Sequence, residues 1–233
     1  MSAVADAPDL SVVVLAFNEV DNLRQALSEL LAELARLGVR WELIIVDDGS
    51  SDGTGPLADG LAQQRAGVRV VHHPKNLGLG GGYRTGFREA RGEWLTFFPA
   101  DAQFPAEIIG QFWAHTQRAD MVLGYLPKRD RDLVGKTLSW VERGLYKALF
   151  RTFPRFQGIM LFRRKLLAEL PLVSEGRGWA VVMELILRAS RGPYRLVSVP
   201  TEVRPRLSGQ SKVNNVRSIV ANLKQLWTLS QRL

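Results

Sequence analysis

The feature that most constrains this chain is an alternation. Short runs rich in Val, Ile and Leu alternate with stretches whose apolar residues fall at helical spacing. Residues 10–17 (LSVVVLAF) read as a buried parallel strand, and 41–46 (WELIIV), 68–72 and 94–98 as further strands. Residues 18–37 place Leu23, Leu27, Leu30, Leu31 and Leu34 along one helical face. Asn18 is positioned to cap that helix and Gly38 to stop it. Residues 57–66 and 83–91 read as helices, the second closed by Gly92. Strands and helices alternating over this length imply a sheet of parallel strands with helices on both faces. The expected fold class is α/β, a Rossmann-like and mostly parallel sheet flanked by helices in a single domain.

The second half has a different character. Residues 107–117 read as a helix, 121–125 as a strand and 137–150 as a helix bearing Trp140, Tyr146 and Phe150. Residues 128–136 (KRDRDLVGK) are dense in charge. Residues 195–203 follow a strand pattern, and 205–212 form a polar loop. Residues 213–233 are amphipathic, with Val213, Val216, Val220, Leu223 and Trp227 on one face. No repeat or linker divides the chain.

Composition removes several function classes. The 233 residues include no cysteine, which excludes a disulfide framework, a thiolate nucleophile and thiolate metal sites. Three histidines, two of them adjacent, are a poor start for a histidine metal site. Lys and Arg number 31 against 23 acids, a net +8. That charge suits an anionic partner: nucleic acid, anionic lipid or a diphosphate. It also suits a basic surface that is merely solvated. No helix-turn-helix, aromatic single-strand motif or concentrated basic stripe is present, so nucleic acid is not the expected partner. The first ten residues carry Asp6 and Asp9 and no basic residue, unlike a secretory signal. No apolar run approaches the roughly 18–20 residues that span a bilayer. The expected location is cytoplasmic, soluble or peripheral to a membrane.

Open α/β sheets bind ligands off the carboxyl ends of their strands. Three loops fall there: Asn18-Glu19, Asp47-Asp48-Gly49-Ser50 and residues 99–105. Adjacent carboxylates at a strand end repel unless donors or a cation meet them. A ribose, a base edge or a metal diphosphate would serve, and so would an Asx-turn of the loop itself. Asp101 and Gln103, spaced by two, would face one side of an extended chain and offer oxygen ligands to Mg²⁺ or Mn²⁺. Residues 76–82 (NLGLGGG) read as a glycine-rich loop able to approach a phosphate or sugar. They follow the third strand rather than the first, which argues against a dinucleotide fingerprint.

Read in order, these segments resemble family 2 glycosyltransferases. Val13-Val14-Leu15-Ala16-Phe17-Asn18-Glu19 is similar to that family's opening strand, and Val46-Asp47-Asp48-Gly49-Ser50-Ser51-Asp52-Gly53-Thr54 to its most recognisable signature. Asn76-Leu77-Gly78-Leu79-Gly80, Gly86 and Ala90-Arg91-Gly92 continue the pattern. Ala100-Asp101-Ala102-Gln103-Phe104-Pro105 resembles the metal motif of the branch that uses polyprenyl-phosphate acceptors, of which dolichol-phosphate mannosyltransferases are the best-known members. Arg206 with Ser208-Gly209-Gln210-Ser211-Lys212 resembles that branch's acceptor-side loop. Each motif is modest alone; their shared order carries the resemblance.

The resemblance implies a glycosyltransferase A-type fold. It implies inverting transfer of a sugar from a nucleotide diphosphate (GDP-mannose or a UDP-sugar) to a polyprenyl or dolichyl phosphate at the cytosolic membrane face. Residues 1–125 would form the nucleotide-sugar half and 126–233 the acceptor half of one continuous domain. Ala16, Phe17 and Glu19 would line the nucleotide pocket with Asp47 and with Asp48 on the base or ribose. Asn76, Gly78, Gly80 and Ala100 would border the donor. Asp101 and Gln103 would hold Mg²⁺ or Mn²⁺, and Asp101, Arg206 and Lys212 would be catalytic. Arg206, Ser211 and Lys212 would sit near the acceptor and donor phosphates. Apart from the resemblance, a phosphate acceptor calls for cations, which Arg129 and Arg131 offer; Ser139 is a further candidate there, or an exposed helix residue.

Two residues depart from the family pattern. Leu15 stands where Pro is usual, a change of packing. Pro99 stands where the first acid of the metal motif is usual, so metal binding should be weaker or more dependent on the donor. A protein that binds nucleotide sugars without turning them over is the alternative reading. In the second half, Asp130 and Asp132 interleave with Arg129 and Arg131, so a solvated loop competes with an acceptor role. Glu184 would be the base if the acceptor were a hydroxyl; otherwise it orients a loop. Trp179 serves a pocket or the core equally well. Gln157-Gly158 reads as a turn that could border the sugar. His72 and His73 end a strand and read as packing residues. Lys212, Arg217, Lys224 and Arg232 flank the C-terminal apolar face, which suits a bilayer interface or the protein's own core.

Overall fold

The computed structural model describes residues 7–127, 154–156, 158–204 and 228. These form a single α/β domain on a seven-stranded sheet ordered β3-β2-β1-β4-β6-β5-β7. The first four strands are β1 (Leu10–Ala16), β2 (Trp41–Asp47), β3 (Val68–His72) and β4 (Trp94–Pro99). They are parallel, with Val12 opposite both Leu43 and Thr96. Three further strands are β5 (Met121–Tyr125), β6 (Met160–Arg163) and β7 (Leu196–Pro200). β6 runs antiparallel between β4 and β5, and β7 pairs parallel with β5.

Both faces of the sheet are covered, so the central strands have no polar alternation to show. Val12 and Val14 face a cluster with Leu23, Leu27, Leu30 and Leu34 of α1 (Val20–Leu37). Val13 faces the opposite cluster with Leu95, Phe97 and residues of the last described helix, α6 (Ala180–Arg191). The other helices are α2 (Thr54–Gln63), α3 (Gly78–Glu89), α4 (Ile108–Trp113) and the short α5 (Leu166–Glu169).

Several local expectations change. Gly38 does end α1, in the left-handed conformation with its N–H on Leu34 O. Asn18 does not cap it. Asn18 has φ +52 and spends its side-chain oxygen on Ser51 N–H, which stitches the first loop to the second. α2 begins at Thr54 rather than 57, because Asp52 accepts from the Thr54 N–H and hydroxyl and starts the helix early. α4 covers only part of 107–117. The glycine run is not a loop: from Gly78 onward it is helix. β6 and α5 carried no readable period, being four residues each. The expected helix at 137–150, the polar loop 205–212 and, apart from Thr228, the amphipathic stretch from 213 lie outside the described residues. So do Arg129, Arg131, Ser139, Gln157, Arg206, Ser211 and Lys212. No helix among the described residues is long and apolar enough to cross a membrane.

Candidate active site at the carboxyl edge of the sheet

The strand order brings the ends of β2, β1 and β4 side by side. Asp48 N–H reaches Ala16 O at 2.9 Å and Ala100 N–H reaches Leu15 O at 3.1 Å, so Ala16 and Ala100 line one floor. The loop after β1 and the loop after β2 are sewn together. Asn18 N–H donates to Ser50 Oγ, Glu19 N–H to Thr54 Oγ1 and Val20 N–H to Asp52. Glu19 is buried and accepts from Asn22 Nδ2 at 2.7 Å. Gly49 sits at φ +71, and a Cβ there would press on the Lys75 and Asn76 backbone.

The two adjacent carboxylates are met by the protein's own donors. Asp47 accepts from Ser50 N–H at 3.1 Å and His72 Nδ1 at 2.9 Å. Burial pushes its carboxyl up, but the donors outweigh burial and hold it below the usual range. Asp48 accepts from His73 Nδ1 (2.7 Å), Asn76 Nδ2 (2.9 Å), Leu77 N–H (2.8 Å) and Gly78 N–H (2.8 Å). A carboxylate offers about four acceptor positions, and here the protein uses them. Through these bonds Asp48 fixes the Asn76 side chain and the backbone of residues 77–78.

The histidines are therefore polar links rather than packing residues. His72 joins Asp47 to Asp59 on α2, and both bonds raise its pKa above the ordinary value. His73 is buried and joins Asp48 to Thr85 Oγ1 on α3.

The glycine run admits protein, not an open phosphate cradle. Gly80 N–H donates to Arg177 O at 2.9 Å, while Gly78 N–H is spent on Asp48. A Cβ on Gly80 would collide with the carbonyl of Gly176. Arg177 returns its guanidinium to Asn76 O and Oδ1 at 2.8 and 2.6 Å. Arg84 donates to Gly176 O at 3.0 Å. Glu184, fully buried on α6, holds the other end of this segment. Its oxygens accept from Val173 N–H, Ser174 N–H and Arg188. Glu184 is thus the loop-orienting group, with no room to act as a base. Trp179 is half-buried at the start of α6. Gly158 has φ +100, and a Cβ on it would strike the Phe104 ring. Nothing in the sequence pattern singled out Arg177 or Arg84, since lone arginines carry no period.

The β4 loop differs. Residues 100–103 form a turn, not an extended segment, with Ala102 at φ +55. Asp101 Oδ1 accepts Gln103 N–H at 3.2 Å, so the turn rather than strand period brings the two together. Asp101 is 9% exposed. Among the described residues no group of three His, Asp or Glu stands ready for a metal. A carboxylate and an amide oxygen nevertheless suit a hard cation that takes its remaining ligands from a diphosphate and water.

The family model for glycosyl transferase family 2 matches residues 11–170. The chain is a family 2 glycosyltransferase. This glycosyltransferase is 28% identical over 229 residues to dolichol-phosphate mannosyltransferase of Saccharomyces cerevisiae, covering 94% of this chain and 85% of that one. It is 28% identical to undecaprenyl-phosphate mannosyltransferase of Micrococcus luteus, covering 94% of each. Its fold is that of glucosyl-3-phosphoglycerate synthase of Mycobacterium tuberculosis, solved with Mn²⁺, uridine diphosphate and phosphoglyceric acid. The TM-score is 0.67 and the identity 20%, over 94% of this chain and 78% of the other. The glycosyltransferase A-type sheet expected from the motifs is the sheet observed.

Proposed function

We propose that this glycosyltransferase moves a sugar, with inversion, from a nucleotide-diphosphate sugar to a polyprenyl phosphate, working peripherally at the cytosolic membrane face. Its relatives of similar length carry polyprenyl-phosphate mannosyltransferase names. Mannose from GDP-mannose is therefore the first donor to test, ahead of UDP-sugars. The observation that carries the acceptor class is Glu184. This acid was the sequence's candidate base for a hydroxyl acceptor, and its oxygens are occupied inside the protein. A phosphate acceptor is ionised near neutral pH and needs no base. It needs cations, since two anions must approach each other.

Ala16, Phe17, Glu19 and Ala100 line the donor side, with Asp47, Asp48, Asn76, Gly78 and Gly80 shaping the loop behind it. Asp101 and Gln103 hold the divalent cation. When bound, that cation supplies positive charge to the departing diphosphate. Arg129, Arg131, Ser139, Arg206, Ser211 and Lys212 carry the acceptor phosphate, for which arginine's forked donors are well suited.

The test uses the purified full chain with labelled GDP-mannose, UDP-glucose or UDP-N-acetylglucosamine, Mn²⁺ or Mg²⁺, and undecaprenyl or dolichyl phosphate in detergent. Label should pass into an organic-extractable, acid-labile product that requires the lipid phosphate. Transfer to a sugar hydroxyl in its place, or no transfer by folded protein across the panel, overturns the reading.

A further inference from the structure

We propose that Arg204 is a positioning residue that aims the Gln103 amide oxygen at the divalent cation. The inference rests on the reading that Asp101 and Gln103 hold that cation. With Pro99 in the strand end, the β4 loop supplies one carboxylate, and its second ligand is a neutral amide. An amide is useful to a hard cation only when its oxygen, not its NH₂, points inward. A glutamine side chain rotates freely, so something must choose the end.

The Arg204 backbone makes that choice, and its side chain holds that backbone in place. It lies just beyond β7, in the segment that crosses back over the β4 loop. Its N–H donates to Gln103 O at 2.7 Å. Its carbonyl faces Gln103 Nε2 at 3.5 Å, which takes the NH₂ end and leaves Oε1 for a ligand. The arginine is itself held from two sides. One guanidinium nitrogen donates to Glu29 on α1 at 2.9 Å, and another lies 3.8 Å from Glu107 ahead of α4. The Arg204 side chain is 44% exposed, and ion pairs so exposed add little to global stability. The contact set is therefore better explained by orientation than by folding. Groups that orient a metal ligand from behind typically change affinity by about 10–100-fold when removed.

The experiment measures Mn²⁺ binding, by the paramagnetic signal of free Mn²⁺, with saturating GDP and separately with UDP. Wild type, Gln103→Ala, Arg204→Ala and Glu29→Gln are compared, each with a thermal melt. Arg204→Ala should weaken Mn²⁺ binding about tenfold with its melt unchanged. Glu29→Gln, which removes only the anchor, should move the same way by less. In turnover, the KM for Mn²⁺ should rise more than kcat falls. If Gln103→Ala weakens Mn²⁺ binding and Arg204→Ala does not, the positioning role is overturned while the cation reading stands. If wild type binds no Mn²⁺ with either nucleotide, or Gln103→Ala binds it as wild type does, the cation reading itself fails.

Discussion

Asp48 and Asp101 stand near the start of the loops after β2 and β4, on either side of β1 at one edge of the sheet, and their carboxylates are bonded in different ways. Asp48 takes four donors from residues 25 to 30 positions along the chain. Asp101 takes the N–H of Gln103, two residues on, within its own turn. A carboxylate satisfied by remote donors ties elements together, and its loss opens all of those ties. The bond from Gln103 N–H braces the turn that carries Asp101. Asp48 thus joins distant segments behind the edge, while Asp101 sits on a turn at the edge itself.

The comparison breaks most readily at Asp101. Asp101→Asn should lower turnover by about 10²–10³-fold, the worth of a few kcal/mol of charge stabilisation. Its melting temperature should stay within about 2 °C of wild type. Asp48→Asn sets an NH₂ among four donors and should cost about 3 kcal/mol of stability, or about 6–12 °C in melting for a chain this long. Steady-state kinetics beside a calorimetric melt read both. A stable Asp48→Asn protein that has lost turnover would reverse the assignment.

A smaller effect is expected at Gly80. Alanine normally favours a helix, but here its methyl would enter the Gly176 carbonyl. We expect a net loss of about 1–3 kcal/mol, as in other overpacked sites. Faster proteolytic nicking at residues 174–178 should accompany it.

His72 gives the smallest effect and a sign. Its bonds to Asp47 and Asp59 raise its folded pKa above the ordinary value of 6.5. The stability it adds is fully present below that ordinary value and fades as pH rises through the raised one. With the ring 44% exposed, the contribution should stay below about 1 kcal/mol. His72→Gln should flatten the stability profile just above pH 6.5, read by denaturant melts across pH. An unchanged profile would sever the link between β3 and α2.

Much of this molecule was readable because burial and period agree in its first half. β1 to β4 repeat one unit, and Gly38 stops α1 as a C-terminal glycine should. The candidate loops followed from the rule that open parallel sheets bind ligands off the carboxyl ends of their strands. What was unreadable depended on tertiary partners. Gly80 and Gly82 look like loop residues until Gly176 and Leu15 are seen against them. His72 and His73 look apolar in context until their acids are found. β6 is too short for a period, and its antiparallel direction is fixed only by β4 and β5 on either side. Arg204 belongs to no pattern at all.

The position of β6 also makes distant parts of the chain depend on one another. A strand from residues 160–163 sits between β4 and β5, and the backbone near Arg177 closes the first turn of α3. Residues up to 125 therefore hold no continuous sheet of their own: the strand that joins β4 to β5 arrives 35 residues after β5 ends.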